Sequence, residues 1–131
     1  MEMLTIVMEL DTPDSEIIYP LEVVTPAVAE FSKVIRKNND GVLGECSPPQ
    51  KGSSVDRSFS IDLQRVSHIV KHIWVDGKTV KAKLKLVGDY AELGNLGVDF
   101  TVVPRLLGKV TEGVAEKVQF VTLDLAYVVE E

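Results

Sequence analysis

A chain of 131 residues with 45% apolar side chains is large enough for one hydrophobic core and too small for two. Its 20 acidic and 14 basic residues leave a net charge of −6, with lysine and arginine spread along the chain, which disfavours a nucleic-acid or anionic-membrane surface. The single cysteine, Cys46, excludes an internal disulfide and a cysteine-built zinc cluster, and no run approaches the roughly 18 apolar residues that cross a bilayer. The first ten residues carry Glu2 and Glu9 and no basic residue, the wrong pattern for a secretory signal. The expectation is one domain over residues 1–131, made in a cytoplasm.

Leu4, Ile6, Met8 and Leu10 alternate with Thr5, Val7 and Glu9, which predicts a first strand ended by a polar segment and Pro13. Residues 17–20 are short and apolar, either an edge strand or a piece lying across the core. Thr25-Pro26 reads as a helix start, because the threonine can cap an orphan N–H and proline loses nothing at the first position. Val28, Phe31, Val34 and Ile35 then form an apolar stripe of about three turns, stopped by Asn38-Asn39-Asp40-Gly41. Residues 46–57, with Pro48-Pro49, read as a loop that either orders alone or only on assembly. Phe59, Ile61 and Leu63 alternate with Ser58, Ser60 and Asp62 and predict another strand.

Residues 65–87 read as a hairpin turning at Asp76-Gly77. After the turn Val80, Ala82, Leu84 and Leu86 alternate with Thr79, Lys81, Lys83 and Lys85, one buried face and one wet. Before it, period two places Val66, His68, Val70, His72 and Trp74 on one face and Ile69, Ile73 and Val75 on the other. Residues 88–97 hold three glycines and admit a single helical turn at 90–93. A strand over 98–103 is expected to stop at Pro104, with a further short strand or turn over 106–111. Residues 118–129 predict a long final strand, with Val121, Leu123 and Leu125 facing one way and Phe120, Asp124 and Ala126 the other. The sum is a mainly β fold with one or two helices, a compact and mostly antiparallel barrel or sandwich.

Candidate chemistry is sparse. His68 and His72 on one strand face lie about 13 Å apart along the chain, too far to chelate one metal, and the pair lacks the glutamate of a zinc-protease helix. No metal and no cofactor is expected. A serine–histidine pair needs a hydroxyl within reach of the imidazole. No serine or cysteine follows His68, and Ser67 is expected to point to the opposite face. Ser53, Ser54, Ser58 and Ser60 lie upstream, and Thr101 would need a free amino terminus as base. Cys46 reads as a small hydrophobe or a loop residue, and Asp76, Asp89 and Asp99 as turn residues. The Lys81–Lys83–Lys85 comb is a solvated face, an edge protector, or a docking surface for an acidic partner. No phosphate-binding loop, dinucleotide fingerprint or calcium loop is present.

Several stretches together resemble one family. Ile18-Tyr19-Pro20 before a helix, GVLGECSPP at 41–49, RVSHIVKHIWVDGKTVKAKLKLV at 65–87, PRLLGKV at 104–110 and VQFVTLDLAYV at 118–128 are similar to segments of the prohead core proteases of tailed phages. These are maturation serine proteases related in fold to herpesvirus assemblins. The resemblance implies a protease-type β domain, and it places the family's catalytic histidine at His68 and its arginine at Arg105. The family's nucleophilic serine lies just before that arginine, where this chain reads Val102-Val103-Pro104. The resemblance therefore implies a member without the catalytic serine, in which His68 and Arg105 are vestigial. It implies a capsid decoration or cement subunit of the virion, assembled in the host cytoplasm. Its partners would be the major capsid protein, other phage head proteins or further copies of itself, with no nucleic acid or membrane. The alternatives are a prohead scaffold component or regulator of the maturation protease, a divergent active prohead serine protease, and a small barrel without a phage role.

Overall fold

A computed structural model describes residues 2–39, 41–46 and 60–128. In chain order these form β1 (Glu2–Glu9), α1 (Leu21–Lys37), β2 (Val42–Glu45), a 3₁₀ turn (Leu63–Arg65), β3 (Val66–Asp76), β4 (Thr79–Leu86), α2 (Asp89–Asn95), β5 (Phe100–Thr111) and β6 (Val114–Tyr127). The strands make a four-stranded antiparallel sheet in the order β1-β4-β3-β2 and a two-stranded antiparallel sheet of β5 and β6. The expected mainly β, sandwich-like architecture is present, and the two sheets do not close into a barrel.

The core lies between the inner faces of both sheets and α1. Val70, Ile73, Val80, Leu84 and Leu86 come from the larger sheet, Leu123 and Leu125 from β6, and Val24, Phe31 and Ile35 from the helix. Phe31 stacks on Phe120 with ring centroids 5.7 Å apart, joining α1 to β6.

Bulges account for most departures from simple alternation. In β1 the register slips between Ile6 and Met8: before it Leu4 and Ile6 lie opposite Lys83 and Lys81 on the outer face, 70% and 54% exposed, and beyond it Met8 lies opposite the buried Val80 and Leu10 is buried. In β3 it slips between Val70 and His72. His68 and Val70 therefore face the core, but Ile73 takes over that face beyond the slip and His72 is exposed. The two histidines do not share a face, contrary to the period-two expectation. In β6 the slip opposite Arg105 and Leu106 puts Phe120 on the side of Leu123 and Leu125, and leaves Thr122 and Asp124 on the other side. An extra residue inverts every side chain beyond it.

Both hairpins turn on left-handed backbone. Asp76 pairs with Thr79, so the first loop is Gly77-Lys78, one residue later than expected, with Gly77 at φ 62°. Glycine first and alone at positive φ is the type II′ pattern. Glu112 and Gly113, at φ 51° and 78°, give the second hairpin a type I′ pattern.

Other expectations are corrected. α1 begins at Leu21 and not at Thr25, and it spans 17 residues, well over three turns. Its first N–H groups are met by Pro20, whose carbonyl accepts from Val23 and Val24, and by Asp11, whose carboxylate accepts from Leu21 at 3.2 Å. Ala27 joins the buried face in place of Val34, which is 44% exposed. Residues 60–65, expected as strand, are irregular chain and the 3₁₀ turn, with Asp62 accepting from Gln64 N–H; Ser58 and Phe59 lie outside the described residues, as does nearly all of the loop at 46–57. β5 runs through Pro104, tolerated because β5 is a sheet edge. Residues 89–95 form a second helix where one turn was expected.

Pro26 now sits inside α1, where it has no N–H to offer the Glu22 carbonyl one turn back. Pro26 is exposed, so its side chain carries little packing. Replacing it with alanine, Pro26→Ala, is expected to stabilise the protein by about 1–3 kcal/mol, read from the urea unfolding midpoint.

Candidate functional site

The residues that the sequence singles out converge on the middle of β6. Leu123 and Asp124 are neighbours on that strand and point to opposite sides of it. Through them, His68 and Arg105 are brought to one place.

His68 is fully buried. Its Nε2 lies 2.6 Å from the Leu123 carbonyl oxygen, which can only accept, so Nε2 carries the proton. The Nδ1 of the neutral ring then accepts from the Ser67 hydroxyl at 2.7 Å. Burial pushes the His68 pKa below its ordinary 6.5, with the Leu123 carbonyl and the charge of Asp124 acting the other way. Ser67 does not point away from His68 as expected. Gly44 pairs with His68 and Glu45 with Val66, so Ser67 is an extra residue against β2, and such a bulge lets adjacent side chains meet. The ring also lies against Gly44, where a Cβ would overlap both the imidazole and the Leu123 carbonyl.

Arg105 is buried and extends from β5 across β6. It holds Asp124 with two bonds, Nε to Oδ2 at 2.9 Å and a terminal nitrogen to Oδ1 at 2.8 Å. The same terminal nitrogen donates to Glu45 Oε2 at 2.8 Å, and the other donates to the Ser60 carbonyl at 2.8 Å. Both carboxylates are fully buried. Burial by itself lowers the Arg105 pKa, but the bonds to Asp124 and Glu45 more than reverse this and leave it raised. Arg65, 44% exposed, approaches Glu45 at 3.9 Å and donates to the Cys46 carbonyl at 3.2 Å.

These bonds satisfy the seam between β2 and β6, which share no ladder. The Leu43 carbonyl accepts from Thr122 Oγ1 at 2.7 Å, and Glu45 N–H donates to Asp124 Oδ1 at 3.1 Å. Among the described residues, no buried side-chain nitrogen or oxygen lacks a partner.

In hydrogen-bond terms, Ser67, His68 and the Leu123 carbonyl form a hydroxyl, a base and a group orienting the base. The order is that of a nucleophile relay, but Ser67 and His68 have no exposed surface. As folded, neither atom can come within the roughly 3 Å of a substrate carbonyl that attack requires. Thr101 is exposed and His72 lies on the far face of the sheet. Cys46 is buried. Sequence reasoning missed Glu45 and Asp124. The signal was a lone aspartate in the apolar run 118–129, since a charge there must have a counter-charge.

The sequence matches no protein-family model and no curated protein. The structure is similar to that of the bacteriophage T4 capsid assembly protease gp21, with a TM-score of 0.78, 19% sequence identity, and coverage of 98% of this chain and 82% of that one. At that identity the likeness shows the fold, which is prohead-protease-like.

Two measurements test this account of the site. Arg105→Ala leaves Glu45 and Asp124 buried without their cation and is expected to cost about 3–5 kcal/mol in urea unfolding; Arg105→Lys should recover only part, because an ammonium cannot make the two-pronged bond. His68 is neutral when folded and protonates more readily when unfolded, so its contribution is complete above pH 6.5 and is lost as the pH falls through the depressed folded value. Stability should therefore fall on acidification below 6.5, with a shallower slope in His68→Gln.

Proposed function

We propose that this chain is a non-catalytic phage head protein built on a prohead-protease-like fold, and that it acts as a decoration or cement subunit on the capsid. The observation that carries the proposal is the condition of the two vestigial positions. His68 is sealed between Ser67, Gly44 and the Leu123 carbonyl, and Arg105 is consumed by Glu45, Asp124 and the Ser60 carbonyl. A protease needs the histidine open to a nucleophile and substrate, and donors free for the oxyanion. Here the ring's Nε2–H is given to the Leu123 carbonyl and its Nδ1 accepts from Ser67. The similarity to a capsid assembly protease supports the head-assembly context, with the major capsid protein or another head protein as partner and the virion as location.

A second reading has an observation of its own. Ser67 Oγ lies 2.7 Å from His68 Nδ1, the distance a divergent active protease would need. A fluorophosphonate probe separates the two. The non-catalytic reading expects no labelling, and expects capsid and scaffold proteins to remain uncut. Labelling that disappears in Ser67→Ala would establish the active enzyme. Cryo-electron microscopy of mature heads then separates a shell subunit from a scaffold component or protease regulator. Icosahedrally ordered density for this chain is expected, and its absence from mature heads would assign it to the prohead interior.

A further inference from the structure

The larger sheet has two unequal faces. α1 and β6 cover the inner one. On the outer one, the middle strand β4 presents Lys81, Lys83 and Lys85 about 6.6 Å apart, in a protein whose net charge is −6. Apolar side chains flank this comb on both sides. On β1, Ile6 pairs with Lys81 and Leu4 with Lys83; on β3, Trp74 pairs with Lys81 and Ile69 with Lys85, with the exposed His72 between them opposite Lys83. Leu4 and Ile6 are more than half exposed. Carboxylates stand at the margins, where Asp76 holds Lys81 at 2.8 Å and Glu2 holds Lys83 at 3.0 Å. Exposed pairs of this kind contribute little and exchange readily for a partner's carboxylates.

The arrangement of charge selects the occupant. A second copy packed face to face on this sheet would set one lysine column on the other, whether the two-fold axis ran along β4 or across it. Leu4, Ile6 and Trp74 would bury poorly against nucleic acid, and the acidic remainder of the chain would repel it. We propose that the outer face of β1, β4 and β3 is a docking surface for an acidic amphipathic protein segment. The segment's apolar side chains cover Leu4, Ile6 and Trp74, and its carboxylates take Lys81, Lys83 and Lys85. This rests on the chemistry of the sheet and not on the head-assembly reading; a protein missing from phage heads can pass its test, and a head protein can fail it.

Trp74 is the only tryptophan and lies on the proposed surface, so its emission reports occupancy directly. The probe is an amphipathic helical peptide of leucine and glutamate, titrated into the full chain at low salt. A saturable blue shift of Trp74 emission is expected. It should weaken about tenfold or more in Lys83→Glu/Lys85→Glu, again in Ile6→Ser, and on raising salt to about 0.5 M. Unchanged far-UV dichroism in both variants separates lost docking from lost fold. No response to the acidic peptide, or an equal response to a leucine–lysine peptide, overturns the proposal. A stronger response to duplex DNA or phosphatidylserine vesicles overturns it in favour of those partners. An emission shift with protein concentration alone overturns it in favour of self-association.

Discussion

Two strands of different sheets, β2 and β6, lie side by side without a shared ladder, joined by side-chain bonds of Thr122 and Asp124 and by Arg105, which bridges a carboxylate from each. Its guanidinium takes a carboxylate from each, Glu45 and Asp124, and Asp124 in turn receives the Glu45 N–H. Three charges are buried there, and taking them out of water costs several kcal/mol per ion before any attraction is counted. Their value is therefore poorly described as net stability. Their bonds leave neither buried carboxylate without a partner. The guanidinium fork is directional: it holds Asp124 with two parallel bonds while reaching Glu45 with the same terminal nitrogen.

The same stretch of β6 determines the state of His68. Leu123 and Asp124 are adjacent, so the carbonyl that receives Nε2–H and the carboxylate that receives Arg105 move as one piece. Gly44 lets this happen, since a side chain there would occupy the space of the imidazole. The ring is left neutral and oriented from both nitrogens. That is a satisfactory way to bury a histidine. It is a poor way to present a base, which must hold one nitrogen toward a reacting group and leave room for that group.

Element types were legible because alternation and turn chemistry are local. The β3–β4 hairpin, the apolar face of β4 and the helical stripe of Val28, Phe31 and Ile35 were all readable from spacing. Faces were less legible, because a bulge is a tertiary event. Nothing in the order Val70-Lys71-His72 says that β4 will skip a residue there, yet that skip sends His72 outward and Ile73 inward. The misplaced start of α1 has a similar cause. Thr25-Pro26 is a good local cap, but the Pro20 carbonyl and the distant Asp11 supply better partners one turn earlier. The ion-pair seam needed three segments, from β2, β5 and β6, to be placed before it existed at all. A lone aspartate in an apolar strand announces that a cation is near without saying which.

The positions that resemble catalytic ones are held by contacts that form on folding. A domain of this size is stable by about 5–15 kcal/mol, and losing the cation from a buried triad takes about 3–5 of that. Exposing His68 would break two hydrogen bonds and open the packing at Gly44. Either change is expensive whether or not any chemistry depends on it. A histidine and an arginine at these places are thus evidence for the fold. They become evidence for proteolysis only together with a hydroxyl that a substrate can reach, and among the described residues the hydroxyl bonded to His68, that of Ser67, is buried with it.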